Sequence, residues 1–182
     1  ANVDMLEQLG ARIVFFSPLA DEPVPAEADA LYLPGGYPEL HLERLEEACR
    51  TRDTIRAFHA AGRPIVAECG GLLALGDGLS DLAGRRAAMW GLLPGEGRMQ
   101  PRLVNLGMHA ADLPEGTVRG HTFHHGQFES LLEPVGQTDP DQPIRGTLFD
   151  FAPAHTVARD QFERQHHVLE RVERRQQLEG LK

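Results

Sequence analysis

A short apolar run that stops abruptly at a cysteine constrains this chain more than any other stretch. Ile65-Val66-Ala67 is typical of a strand, and Glu68-Cys69 follows it directly. Two glycines come next, and a helical apolar pattern begins at Leu72. This order predicts a strand, a sharp turn and a helix with the cysteine at the turn, as in a nucleophile elbow. The start of the helix would favour the thiolate. The alternative is a structural cysteine that packs as a small hydrophobic residue.

Helices and strands alternate through the rest of the first half. The patterns predict a helix over residues 2–10, strands over 11–17 and 28–33, and a helix over 40–60. Such alternation is typical of an α/β fold, with a mostly parallel sheet and helices on both faces. Ligands of these sheets bind beyond the carboxyl ends of the strands. Gly35-Gly36 and Cys69-Gly70-Gly71 both follow predicted strands, so we expect the two loops at one sheet edge.

The second half has a different pattern. Residues 99–107 and 118–128 are predicted to be strands of a more antiparallel half. Residues 160–182 are predicted to form a solvated amphipathic helix. A chain of 182 residues is long enough for one α/β core. We therefore expect one domain over residues 1–159, followed by a helical tail over 160–182.

Charge and composition exclude several classes of function. A formal net charge of −9 argues against a nucleic-acid or anionic-membrane surface, since both attract basic patches. The sequence contains no apolar run of membrane-spanning length and no signal segment. Its two cysteines, Cys49 and Cys69, lie in unlike contexts and give no disulfide framework. These features favour a cytoplasmic location.

A cysteine nucleophile needs donors for the oxyanion and a base for the thiol. The backbone N–H groups of Gly70 and of Gly36 or Tyr37 are candidate donors, because glycine lets a carbonyl substrate approach the backbone. Taken alone, Gly35-Gly36 is also explained by a tight turn between a strand and a helix.

The histidines supply several candidate bases, and spacing alone does not choose among them. The candidates are His121, His124, His125 and His155. The first three also suggest a metal site, but strand alternation would place His121 and His124 on opposite faces, so no metal is expected. Surface or core roles are expected for the remaining histidines, which are His41, His59, His109, His166 and His167.

Three motifs together resemble one known family. They are LPGGYPELH at residues 33–41, AECGGL at 67–72 and GHTFH at 120–124, and the runs at 15–19 and 89–95 agree with them. This combination is similar to the glutamine amidotransferase domain of cobyrinic (or hydrogenobyrinic) acid a,c-diamide synthases. The resemblance covers about residues 2 to 130. It implies a class I amidotransferase fold, which is flavodoxin-like.

The resemblance also implies an activity. Cys69 would attack the side-chain amide of glutamine and form a glutamyl thioester, with Gly35, Gly36, Tyr37 and Gly70 around the substrate. The ammonia would pass to an ATP-dependent synthetase domain, which needs ATP and Mg2+ and activates acetate side chains of the corrinoid. No cofactor is expected in this domain itself. The synthetase domain and the first strand of the amidotransferase sheet are expected before Asn2, outside this sequence.

In this family the activating histidine comes late in the sequence, in an aromatic-rich strand. His155 is the nearest match and is the predicted base. His121 and His124 belong to a motif characteristic of the family and remain alternatives, as a base or as structural residues.

Other functions stay open at this stage. One is a catalytically silent, amidotransferase-like interaction domain, which the weak match after Ser130 would favour. Another is the amidotransferase part of cobyric acid synthase or of a peptidoglycan-amidating enzyme. A third is a cysteine hydrolase of the same fold that acts on peptides or small carbonyl compounds. Homo-oligomer formation is also left open.

Overall fold

The structure, a computed structural model, describes residues 2–113, 116–132, 136–137 and 147–148. Its helices are α1 (Asn2–Gln8), α2 (Leu42–Glu47), α3 (Cys49–Ala60) and α4 (Gly70–Leu75), with 3-10 helices at Pro18–Ala20 and Pro38–Leu40. The strands of the first half and centre are β1 (Leu31–Leu33), β2 (Ile65–Ala67), β3 (Gly78–Ser80), β4 (Arg86–Ala88) and β5 (Glu96–Met99). They are followed by β6 (Asn105–Leu113), β7 (Gly116–His124), β8 (Gly126–Glu129), β9 (Gly136–Gln137) and β10 (Thr147–Leu148). The predicted tail over residues 160–182 lies outside the described residues.

Strands β1 and β2 pair in parallel and carry the two glycine loops. Leu31 lies opposite Ile65, and Leu33 lies opposite Ala67. Leu31 and Leu33 are buried, while Tyr32 between them points to the other face, as strand alternation requires. Helices α2 and α3 form the crossover between these strands. The predicted α/β class and the common edge for the two loops are therefore confirmed.

The crossover is two helices rather than the single predicted one. Ala48, with φ −72° and ψ 64°, leaves the helical conformation and separates α2 from α3. The apolar face that the sequence predicts is nevertheless buried in both helices. Its members are all buried, namely Leu42, Leu45, Ala48, Ile55 and Phe58. The pattern of burial therefore follows residue type on both sides of the break.

The predicted strand over residues 11–17 is wrong for the part of the chain that the structure describes. This segment forms no ladder with another described strand. Phe16 packs against the core, whereas 78% of the Phe15 surface is exposed. A β-branched and aromatic run favours an extended chain, but a strand also needs a neighbour to accept its backbone hydrogen bonds.

The second half is more antiparallel, as predicted. Strands β4, β3, β5 and β8 form one mixed sheet in that order, in which only β3 and β5 run parallel. Strands β6 and β7 form an antiparallel pair in which Met108 lies opposite His121. The predicted strand over 118–128 is interrupted at His125, so that its end belongs to β8 of the four-stranded sheet.

Helix α4 is buried in the centre of the core. Leu73, Ala74 and Leu75 are all buried, and Leu75 is 0% exposed. The carbonyl groups at its C-terminal end accept backbone hydrogen bonds from residues 90 to 93, including Leu93 N–H to Leu75 O at 2.9 Å. These bonds satisfy acceptors that a helix end leaves unpaired. The helix that follows the cysteine is thus held at its C-terminal end by residues 90 to 93.

No helix in the described ranges has the length and apolar character needed to cross a membrane.

Candidate active site

Cys69 sits at a strained turn between β2 and α4. Its backbone has φ 48° and ψ −109°, which is a rare conformation for a residue with a side chain. Such a conformation costs about 1–3 kcal/mol and persists where the surrounding structure enforces it. Here Glu68 N–H donates to Leu33 O at 2.9 Å, and Leu73 N–H donates to Cys69 O at 3.1 Å. These bonds tie the turn to β1 on one side and to α4 on the other.

Two glycines allow the turn to pack directly against the loop that follows β1. A Cβ atom on Gly70 would lie 2.5 Å from the carbonyl oxygen of Gly36, and one on Gly71 would overlap the carbonyl group of Leu33. A Cβ atom on Gly35 would make ordinary contact, 3.6 Å from the Cβ of Cys69. The structure therefore brings Gly35, Gly36 and Gly70 together around Cys69.

The backbone N–H groups of Gly36 and Gly70 influence the thiol of Cys69. Burial is the largest influence on this thiol and raises its pKa, although the residue as a whole is exposed. Hydrogen bonds from Gly70 and Gly36 lower the pKa, and the nearby charges of Glu39 and Glu68 raise it. The net effect is a raised pKa, so the thiol form is favoured at neutral pH. Backbone N–H groups beside a nucleophile are the kind of donor that an oxyanion hole uses.

A raised pKa predicts slow alkylation of Cys69 at neutral pH in the absence of glutamine. Deprotonation creates an anion, which burial and the two carboxylates disfavour, so the rate should rise with pH through a midpoint above that of an unperturbed thiol. The measurement is the iodoacetamide reaction rate against pH, followed by mass spectrometry on Cys49→Ser protein. A midpoint below that of a free cysteine measured in parallel would contradict the prediction.

The other predicted site residues are placed as follows. Tyr37 precedes the 3-10 helix Pro38–Leu40, and 72% of its surface is exposed. His124 ends β7, with its Nδ1 2.8 Å from Gly126 O. His121 lies in the middle of β7 opposite Met108. His155 lies outside the described residues. The identity of the base therefore stays a prediction.

The remaining two expectations concern the second cysteine, Cys49, and a metal site. Cys49 is exposed and is the first residue of α3. Across the described ranges, the structure has no group of three or more histidine, cysteine or acidic side chains that could hold a metal ion.

Two acidic residues near Cys69 were given no role in the sequence analysis. Glu68 accepts a hydrogen bond from the Tyr32 hydroxyl at 2.9 Å, and Glu39 lies in the 3-10 helix after the Gly36 loop. Their signal in the sequence was position, since Glu68 directly follows β2 and Glu39 follows the Gly35-Gly36 loop. It was missed because the neighbouring cysteine and glycines already explained those loops.

A cysteine at a strained strand-to-helix turn of an α/β sheet is the arrangement of a nucleophile elbow. A solved crystal structure described as a glutamine amidotransferase shares the fold, with a TM-score of 0.57, 16% sequence identity and 82% of each chain covered. Residues 1–143 match the family model of the CobB/CobQ-like glutamine amidotransferase domain. The chain therefore belongs to that family.

Curated relatives agree with this assignment. The chain is 57% identical over 137 residues to a hydrogenobyrinate a,c-diamide synthase of Stutzerimonas stutzeri, which covers 75% of the chain and 32% of the relative. It is 53% identical over 137 residues to the synthase of that name from Pseudomonas aeruginosa, and the match covers 75% of the chain and 31% of that relative. It is 49% identical over 138 residues to a cobyrinate a,c-diamide synthase of Herminiimonas arsenicoxydans, and the match covers 76% of the chain and 32% of that relative. The chain thus spans about a third of the length of these relatives.

Proposed function

We propose that this chain hydrolyses glutamine through a thioester on Cys69. The observation that carries the proposal is the strained turn at Cys69, packed directly against the loop of Gly35 and Gly36. The Cys69 thiolate attacks the side-chain amide carbon, and the developing oxyanion takes hydrogen bonds from the N–H groups of Gly36 and Gly70. Ammonia leaves with a proton from the base, and water then cleaves the thioester to release glutamate and the free thiol.

We further propose His155 as the base, with His121 and His124 as alternatives. A base beside the sulfur would offset the raised pKa by taking the thiol proton and passing it to the departing ammonia. Gly35 and Tyr37 would line the substrate pocket with Gly36 and Gly70. Support for Gly35 comes from its position beside the nucleophile, since a Cβ atom added to Gly35 would lie 3.6 Å from the Cys69 Cβ.

The ammonia is proposed to serve a corrinoid a,c-diamide synthase. This proposal rests on the identity to synthases of that name and on their greater length. The additional chain in the relatives would hold the synthetase domain, with its ATP and Mg2+, and the carboxylate acceptor on cobyrinic or hydrogenobyrinic acid. The amidotransferase domain is proposed to extend over residues 1–159, with 160–182 as an appended helix. A cytoplasmic location is proposed because Cys49 and Cys69 are both free thiols.

Covalent labelling with a glutamine-analogue diazoketone tests the proposed hydrolysis. This reagent needs the nucleophile, the glutamine pocket and the base, but no synthetase domain. We expect a single adduct, mapped to Cys69 by mass spectrometry and blocked by excess glutamine. Iodoacetamide serves as the control for an accessible thiol. Folded protein that reacts at Cys69 with iodoacetamide but not with the diazoketone would contradict the proposal and favour a catalytically silent domain.

A further inference from the structure

One face of the parallel strand pair β1–β2 is open in the part of the chain that the structure describes. Leu31 and Leu33 of β1 are buried in the core, whereas Tyr32 points to the other face, where it lies opposite Val66 of β2. Half of the Val66 surface is exposed, at 50%. This surface of Tyr32 and Val66, the open face, therefore lacks the cover that the core side has.

An open face is unusual for strands that pair in parallel. Such sheets carry helices on both faces, because the connections between parallel strands cross over the sheet. Here α2 and α3 form the crossover and contribute buried residues to the core side. Phe15 adds to the exposed apolar surface, since 78% of it is exposed although the neighbouring Phe16 packs against the core. An exposed Val66 in a parallel strand indicates that a further helix belongs on the open face.

The end of the sequence has the pattern that such a helix needs. Over residues 160–182, which lie outside the described residues, a helix would place Phe162, Leu169 and Val172 within about 80° of one another. His167 would fall on the opposite side, and five acidic and five basic residues keep the rest of the segment polar. From the first to the last of its three apolar residues this helix would be about 15 Å long. Strands of three residues, such as β1 and β2, span about 10 Å and would be covered.

The segment is also long enough to reach the open face. Residues 149–161 connect it to Leu148 at the end of β10, and an extended connection of that length spans up to roughly 45 Å. A domain of about 150 residues has a radius of gyration of only about 15 Å. The segment lies after residues 1–143, which match the family model, so the family assignment gives it no role.

We propose that residues 160–182 form an amphipathic helix that docks on the open face, with its apolar side against Val66 and Tyr32. Removal of apolar surface from water on both partners drives the docking. Because β2 leads directly to the turn of the nucleophile, the docked helix also supports the strand that carries this turn. The proposal goes beyond the proposed glutamine hydrolysis and does not depend on it.

The test measures how well the open face is protected from a thiol reagent. A full chain with Cys49→Ser, Cys69→Ser and Val66→Cys carries a single thiol, at the centre of the open face. We expect a bulky maleimide to modify this thiol about tenfold or more slowly in the folded chain than in urea. Leu169→Asp places a charge in the proposed contact and should restore most of the rate. His167→Asp, about 200° away around the helix, is the matched control and should keep the protection.

Three results would overturn the proposal. A maleimide rate at position 66 close to the rate in urea would mean that nothing covers the face. Protection that increases with protein concentration would assign the cover to a second copy of the chain. Protection that persists in both Leu169→Asp and His167→Asp, at all protein concentrations, would assign it to another segment.

A disulfide keeps the test decisive if Leu169→Asp lowers the stability of the whole chain. In the same background without native cysteines, Val66→Cys is combined either with Leu169→Cys or with His167→Cys. A disulfide needs Cβ atoms about 3.5–4.5 Å apart, so the pair with position 169 should oxidise within one chain about tenfold faster or more than the pair with position 167. Equal rates for the two pairs would contradict the docking.

Discussion

Cys69→Ser is expected to abolish labelling by the glutamine-analogue diazoketone and any glutaminase activity, whereas Cys49→Ser should leave both unchanged. Serine is nearly the same size as cysteine and preserves the strained turn, but its hydroxyl ionises far less readily than a thiol. Removal of an enzyme's nucleophile typically costs many orders of magnitude, so we expect a loss of at least about a thousandfold. The measurement is the rate of adduct formation, followed on the intact chain by mass spectrometry.

The two cysteines make this comparison well controlled. Both are free and exposed, so a reagent that reacts with thiols indiscriminately would modify both. Cys49 begins α3, which belongs to the crossover between β1 and β2, whereas Cys69 lies at the strained turn beside the Gly35-Gly36 loop. Unchanged circular dichroism of Cys69→Ser would show that the loss is chemical. If Cys49→Ser abolished labelling and activity while Cys69→Ser retained them, the assignment of Cys69 as the nucleophile would be wrong.

Much of the site followed from the sequence because its determinants are local. Ile65 to Ala67 favour a strand, and the residues from Leu72 onward favour a helix. The glycines between them permit the backbone of the turn to pack closely against its neighbour. The turn at the cysteine could therefore be predicted without knowledge of the rest of the fold. The rule that parallel strands end at one edge then brought Gly35 and Gly36 to the same place. The close approach of Gly70 to Gly36 fits this reasoning.

The features that the sequence could not place depend on distant residues. A strand over residues 11–17 requires a pairing partner, which residue type does not supply. The break at Ala48 depends on how α2 and α3 dock, because alanine is itself a strong helix former. The choice of base among His121, His124 and His155 depends on where the long segment after the cysteine runs in space, which local sequence patterns do not determine.

Gly70→Ala is expected to disable the site, although alanine is the better helix former. In an isolated helix this change would stabilise by about 1 kcal/mol. Here the new Cβ would lie 2.5 Å from the Gly36 carbonyl oxygen, and backbone at that distance must move. We expect the Gly36 loop to be displaced, which removes one N–H donor from the nucleophile. Loss of a single oxyanion donor costs roughly 100-fold or more.

Gly36→Ala is the comparison variant, because it leaves the contact between the two loops unaltered. A Cβ on Gly36 meets no atom within 4 Å, and the substitution keeps the backbone N–H. The temperature of thermal unfolding should therefore change little in Gly36→Ala, whereas the clash in Gly70→Ala should lower it. Gly36 is itself proposed to line the substrate pocket, so the two variants are compared by thermal unfolding and by the iodoacetamide reaction of Cys69 rather than by the diazoketone. Equal effects of the two substitutions on unfolding, or a larger effect of Gly36→Ala, would mean that the close contact of Gly70 with the Gly36 loop does not hold the turn in place.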